Sequence, residues 1–214
     1  MNSTRSESLT GTVEVGFPQF RTPPPEPMGL LREWLDGAAH QEVREPCALA
    51  LATSGADGRT SSRIVVLNKL TETGLLFATH SGSRKGTELA ANPWASGVLY
   101  WRETSRQITV AGPVVRLRDA EADALWAARA VFTHAMSSAS RQSEPLEDLD
   151  QVAALRIRAG ELGERGALPR PAGFAAYELR PERVEFWANG TDRLHERLYY
   201  ERSGGNWSVG RLQP

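Results

Sequence analysis

The feature that most restricts the fold is a recurrence of short apolar runs, each closed by turn residues, at about ten-residue intervals. Ala48-Leu49-Ala50-Leu51-Ala52-Thr53 is followed by Ser54-Gly55-Ala56-Asp57-Gly58-Arg59, and Ser62-Arg63-Ile64-Val65-Val66-Leu67 comes next. Thr71-Glu72-Thr73-Gly74 then separates this run from Leu75-Leu76-Phe77-Ala78-Thr79. Gly and Asp supply the backbone angles that tight turns need. Runs this short, so punctuated, imply antiparallel β structure. Trp94 to Trp101 and Arg106 to Leu117 read as further strands, the second with a bulge or bend at Gly112-Pro113. Phe174 to Leu179, Arg183 to Trp187, a strand carrying Arg193 and a run at Trp207-Ser208-Val209 complete a meander, giving seven or eight short strands. The implied class is α+β, a single domain on an antiparallel barrel.

Helical patterns fill the gaps. Leu30 to Leu35 with Ala38 and Ala39 has helical spacing. Ser83 can cap a helix that Pro93 ends after Asn92. Asp119 starts a helix reaching Ala130, and another spans about Leu146 to Leu162. Thr133 to Ser143 is small and polar and reads as a loop. Residues 1–27, with Pro23-Pro24-Pro25-Glu26-Pro27, read as an extended, partly disordered arm before a domain over 28–214.

Composition narrows the chemistry. The formal net charge of −1, from 25 basic and 26 acidic residues, creates no field that would draw nucleic acid. One cysteine, Cys47, excludes an internal disulfide framework and points to the cytoplasm. No apolar run approaches the ~20 residues of a membrane span. GxGxxG, P-loop, CxxC and HExxH patterns are absent, so neither a metal nor a Rossmann-type dinucleotide site has a motif.

Two clusters suggest anion binding instead. Arg84 and Lys85 fall in the first turn of the Ser83-capped helix, where the helix dipole disfavours cations. A bound anion, held by free backbone N–H groups and both cations, would explain them. Arg193, His195 and Arg197 alternate, so on an extended strand they share one face, presenting two guanidinium forks and a titratable ring.

Read together, Ser62-Arg63-Ile64-Val65-Val66, Thr79, Ser83-Arg84-Lys85-Gly86, Asn92-Pro93, Arg106-Gln107, Gln142-Ser143, Glu185-Phe186-Trp187 and Arg193-Leu194-His195-Glu196-Arg197 resemble the pyridoxamine 5′-phosphate oxidase family, in order and spacing, from about residue 28 to the end. The closing Trp207 and Arg211-Leu212-Gln213-Pro214 are similar too. The resemblance implies an FMN-binding split β-barrel of Greek-key type with flanking helices, in a homodimer with FMN at the interface. It implies FMN contacts from Arg63, Ile64, Val65, Val66, Thr79, Ser83, Arg84, Lys85, Gln107, Gln142, Ser143, Trp187 and Arg197. Arg193 and His195 would face the substrate as catalytic residues.

Departures from that family bear on the substrate. Asn68 stands where the oxidases that act on pyridoxine phosphate carry a phosphate-binding lysine, and Lys69, one residue on, would face the other way. Leu125 replaces a tyrosine, whereas Arg129 remains and Thr133 stands for a serine. Losing a cation and a hydroxyl leaves a pocket poorly suited to a phosphate dianion. The Trp94 to Ser105 run, Met136-Ser137-Ser138 and the Arg193 to Leu198 ending resemble the phenazine-biosynthesis branch of the family. That resemblance implies oxidation of a partly reduced phenazine carboxylate, met by Asn68, Arg129, Thr133, Arg193 and His195, with hydride transfer to the flavin and O2 as final acceptor. Two other readings are a pyridoxine/pyridoxamine 5′-phosphate oxidase and a non-catalytic flavin-binding module.

Overall fold

The computed structural model describes residues 15–190 and 194–214. Ten strands form one antiparallel sheet that curls into a half-barrel. In chain order they are β1 Ala48–Ser54, β2 Thr60–Val66, β3 Lys69–Leu70, β4 Leu75–His80, β5 Trp94–Trp101, β6 Arg106–Arg116, β7 Phe174–Leu179, β8 Arg183–Ala188, β9 Glu196–Ser203 and β10 Asn206–Leu212. The main path runs β10-β9-β8-β6-β5-β1-β2, and β7 links β6 to β4. The helices are α1 Pro27–His40, α2 Arg84–Ala91, α3 Asp119–Ala128, α4 Phe132–Ala139 and α5 Asp150–Gly163.

The curl is made at Gly112-Pro113. Residues 106–111 of β6 pair with β8, while residues 114–116 pair with β7. No bulge interrupts the strand; it continues while changing partners. A side chain at Gly112 would lie 2.1 Å from the Arg180 carbonyl oxygen, so only glycine lets the β7–β8 connection cross there.

Strand residues alternate between core and outer face, as the two-residue period requires. Leu49, Leu51, Leu99, Ile108, Val184, Phe186, Leu198 and Tyr200 are buried inside the curl. α1 closes it with Leu31 and Trp34, whose ring meets Phe186 edge-on at 5.2 Å. Each such fully buried side chain contributes about 1.5–3 kcal/mol.

Residues 15–26, which the sequence assigns to the arm, lie against this core. Phe17 is buried against Trp34 at 4.7 Å. The arm's carbonyls accept from the barrel: Gly16 from Arg106 Nη2 at 2.5 Å, Phe20 from Arg211 Nε at 2.7 Å, and Pro24 from the Tyr200 hydroxyl at 3.0 Å. Proline cannot donate, but its carbonyl accepts freely, which suits this docking.

Three local expectations are corrected. The supposed loop from Thr133 is mostly α4, whose small residues hid a buried face of His134, Ala135 and Ala139. The last helix begins at Asp150 rather than Leu146, and the helix starting at Asp119 ends at Ala128 rather than Ala130. The strand expected to start at Arg193 starts at Glu196, so His195 precedes it, and Arg193 lies outside the described residues.

Candidate functional site

A cavity of about 660 Å³ opens between β2, β4, the start of α2, the α3–α4 region and residues 140–143. Arg63, Ile64, Val65, Val66, Asn68, Thr79, Arg84, Lys85, Arg129, Gln142 and Ser143 all line it. Residues separated by up to eighty positions thus converge on one cavity. Ser83 and Thr133 stand just behind the wall, each bonded to a lining cation.

The cationic end is built on α2. Ser83 is fully buried and its hydroxyl accepts from the Gly86 N–H at 3.3 Å, the helix cap the sequence suggests. A Cβ at Gly86 would fall 2.2 Å from the Ser81 carbonyl, so the helix can start this close to β4 only with glycine there. The turn aims Lys85 inward, where it is only 5% exposed. Its ammonium donates to Thr79 Oγ1 at 2.9 Å, Gln142 Oε1 at 3.1 Å and Ser83 Oγ at 3.5 Å. All three acceptors are neutral, and no carboxylate pairs with Lys85 among the described residues. Burial, and then the nearby Arg63 charge, push its pKa down. A buried, uncompensated cation is costly unless an anion arrives.

Arg63 and Arg84 converge on a residue that sequence reading missed. Glu88, one helical turn beyond Arg84, accepts from Arg84 Nε at 3.0 Å and Arg63 Nη2 at 3.3 Å. It also accepts from Thr53 Oγ1 at 2.5 Å and Ser61 Oγ at 2.7 Å. Burial raises its pKa, but the hydrogen bonds from Thr53, Ser61, Arg84 and Arg63 outweigh this and bring it down to about 2. The i,i+4 spacing from Arg84 was the available signal. The partners from β1 and β2 had none, since they depend on strand pairing.

At the far end, Arg129 donates through Nε to Thr133 Oγ1 at 3.2 Å and through Nη2 to Ser137 Oγ at 3.3 Å. Its guanidinium faces the Phe174 and Trp126 rings at 5.5 and 5.8 Å. Burial lowers its pKa, and among the described residues no carboxylate meets it either. Asn68 accepts from the Ala78 N–H through Oδ1 at 3.0 Å, which leaves its NH2 as the free group. Lys69 is exposed and absent from the lining, as its one-residue offset implies. Ile64, Val66 and Met136 supply an apolar rim. Ser143 sits at φ +74°, a strained conformation for a non-glycine residue at the cavity wall.

Gln107, Trp187, His195 and Arg197 do not reach this cavity. Gln107, Trp187 and Arg197 are direct cross-strand neighbours on the outer face of β6, β8 and β9, beside the exposed Tyr100 of β5. Trp187 lies four strands from β2, about 19 Å along the sheet at the usual strand spacing. The His195 ring leans on Trp187 at 4.8 Å, and its Nδ1 accepts from the Gly190 N–H at 3.4 Å. Arg197 donates to Glu185 Oε1 at 2.7 Å and to the Gln213 carbonyl at 2.9 Å. That hydrogen bond to Glu185 raises its pKa.

Among the described residues no group of three His, Cys, Asp or Glu side chains could hold a metal, and no helix is long and apolar enough to cross a membrane. A curled antiparallel half-barrel whose cavity has a cationic end defines the class of protein. Residues 35–188 match the family model described as pyridoxamine 5′-phosphate oxidase, and residues 174–214 match the C-terminal dimerisation region of pyridoxine 5′-phosphate oxidase. The chain belongs to the pyridoxamine 5′-phosphate oxidase family.

Within it, the chain is 56% identical over 210 residues to the dihydrophenazinedicarboxylate synthase of Pseudomonas chlororaphis, covering 98% of this chain and 93% of that one. It is 53% identical over 215 residues to the protein of the same name from Burkholderia lata, covering all of both. The crystal structure of PhzG from Burkholderia lata 383 in complex with tetrahydrophenazine-1-carboxylic acid matches with a TM-score of 0.90 at 52% identity, over 95% of this chain and 100% of that one.

Proposed function

We propose that this chain is an FMN-dependent oxidase of phenazine biosynthesis that oxidises a partly reduced phenazine carboxylate, with O2 as the final electron acceptor. The observation that carries the cofactor assignment is Lys85: a buried ammonium with three neutral oxygen partners and no counter-charge among the described residues. A phosphate dianion supplies that charge, and Arg63, Arg84 and the α2 N-terminus complete its surroundings. Ile64, Val65 and Val66 offer an apolar edge and backbone to a flat ring, while Thr79, Gln142 and Ser143 offer hydrogen bonds.

Bound FMN supplies the hydride acceptor and hands the electrons to dioxygen. The protein's part is positioning and electrostatics. Arg129, with only neutral partners, pairs with a substrate carboxylate; the Asn68 amide flanks it, and Thr133 holds the guanidinium from behind. Asn68 in place of a cation favours a flat acid over a second phosphate.

Gln107, Trp187 and Arg197 would meet the flavin of a second copy, because their own cavity lies too far along the sheet. The site is then completed in a homodimer, in keeping with the dimerisation region at 174–214. Arg197, held protonated by its hydrogen bond to Glu185, would offer a guanidinium donor to a flavin of the partner copy, where it would favour the reduced form. His195, against Trp187, is assigned to the substrate, and the family resemblance assigns Arg193 to it as well. The Gly190 N–H donates to His195 Nδ1, so Nε2 is the ring nitrogen available to orient a substrate. The enzyme works in the cytoplasm, as its single cysteine suggests.

The test is a direct comparison of substrates. Purified protein should show a flavin absorbance spectrum. Its bound flavin should bleach on anaerobic addition of a dihydrophenazine carboxylate and recover in air, and pyridoxine 5′-phosphate should bleach it at least tenfold more slowly. Brisk formation of pyridoxal phosphate would assign the chain to the other arm of the family. A flavin that bleaches with neither substrate would mark a carrier.

A further inference from the structure

Three cations and one carboxylate meet at the start of α2, and the carboxylate is the residue for which the preceding roles have no use. Glu88 sits at the centre of a closed set of contacts. Both its oxygens are bonded to Ser61 Oγ, at 2.9 and 2.7 Å, and Thr53 Oγ1 donates to Oε2 at 2.5 Å. The Arg63 guanidinium is fixed by the same atoms: Nη1 donates to Thr53 Oγ1 at 2.5 Å, and Nη2 donates to Ser61 Oγ and, at 3.3 Å, to Glu88. Arg84 is two-thirds exposed and its single protein partner here is Glu88, through Nε at 3.0 Å. The Glu88 side chain itself is only 11% exposed.

Surface charges of such length are ordinarily free to move, and ordering them costs rotamer entropy. Here one carboxylate, itself held by two hydroxyls, orders two guanidinium groups beside the Lys85 ammonium. The formal sum is three positive charges and one negative, a net of +2. That equals the opposite of the charge on a phosphomonoester dianion. A neutral ligand gains nothing from this sum, and a singly charged phosphodiester leaves half of it unanswered.

Resting on the FMN reading above, we propose that Glu88 is a positioning residue for the phosphate end of the cavity. It holds Arg63 and Arg84 in place and sets the local charge, so that the site selects a phosphomonoester flavin over its unphosphorylated form. Glu88 touches no flavin atom itself; it acts through the two arginines.

The experiment measures equilibrium binding of FMN and of riboflavin to flavin-stripped protein by fluorescence quenching, with the full-length chain and two variants. Glu88→Gln keeps the length but removes the charge and turns one acceptor oxygen into an NH2 donor; Glu88→Asp keeps the charge and shortens the reach. Simple attraction predicts tighter FMN binding in Glu88→Gln, because the site becomes more positive. Positioning predicts the reverse. FMN should weaken by about tenfold or more in Glu88→Gln and by a smaller factor in Glu88→Asp, with riboflavin changed less than twofold in both. Unchanged or tighter FMN binding in Glu88→Gln would overturn the proposal. So would equal losses of FMN and riboflavin, since Glu88 would then be supporting the fold rather than the phosphate. Failure of the wild-type chain to prefer FMN over riboflavin would instead strike the cofactor reading itself.

Discussion

The two cationic regions of this molecule are built in opposite ways. At the start of α2, Lys85 is buried without a carboxylate, and Arg63 and Arg84 are arranged around a cavity. On the outer face of β8 and β9, Arg197 is already neutralised by Glu185 and tied to the Gln213 carbonyl, and it does not line that cavity. The first region carries three cations against the single carboxylate of Glu88, and Lys85 has no carboxylate partner among the described residues. The second is electrostatically satisfied and lacks a ligand edge to meet. Such a division is what a site shared across a symmetric interface requires, because each copy then lends its sheet face to the other copy's cavity.

The largest test of that contrast is complementation. Lys85→Met should abolish FMN binding in its own cavity, and Trp187→Ala should cripple the cavity of the partner. Refolding the two variants together should place one intact site in every mixed dimer, restoring flavin turnover to about a quarter of the wild-type sites for random pairing. If both regions served the same protomer's cavity, every site would remain defective and mixing would restore nothing. Recovery measured against the proportions mixed distinguishes the two outcomes.

A smaller effect separates the regions by pH. The folded-state pKa of Glu88 is held near 2, below its ordinary value of 4.5. A depressed carboxylate stabilises the fold fully above about pH 4.5, and that contribution drains away as pH falls toward 2. Lys85 has the opposite sign: its lowered pKa means that its charge costs stability at neutral pH, and the cost is relieved as pH rises or when an anion binds. Thermal melts should therefore show a loss from pH 4.5 downward that Glu88→Gln flattens. At neutral pH they should show a gain on adding FMN that Lys85→Met removes. A flavin-free protein equally stable with and without FMN would contradict the second part.

The difference between the regions also explains what could be read from the chain. Ser83-Arg84-Lys85-Gly86 is contiguous, so its cap, its glycine and its misplaced cations announced an anion site locally. The short apolar runs closed by turn residues, as at β1, β2 and β4, announced the sheet. What stayed hidden depends on pairing across the fold. Thr53 and Ser61 acquire their role only because β1 and β2 bring them together over Glu88. Helix α4 escaped notice because Thr133 to Ser143 is rich in small polar residues, and its buried face rests on His134, whose ring stacks on Trp126 at 4.2 Å. The alternating Arg193, His195 and Arg197 suggested one strand face, yet the strand begins only at Glu196. Alternation implies a shared face only where the backbone is extended.

The finest distinction between the two regions concerns the chain's end. Arg197 Nη1 donates to the carbonyl of Gln213, the penultimate residue, and neither Gln213 nor Pro214 lines the cavity. Deleting Gln213 and Pro214 removes one of the two acceptors that orient Arg197 and leaves Glu185 in place. A hydrogen bond from a charged donor at a partly exposed site is worth about 1 kcal/mol, so the expected loss is about fivefold. That loss should fall on flavin turnover, since Arg197 is assigned to the charge that develops on reduction. The affinity for oxidised FMN depends mainly on the phosphate end and should stay within twofold. Equal losses in both would mean that the chain end supports the cavity directly, and the separation of the two regions would fail at this point.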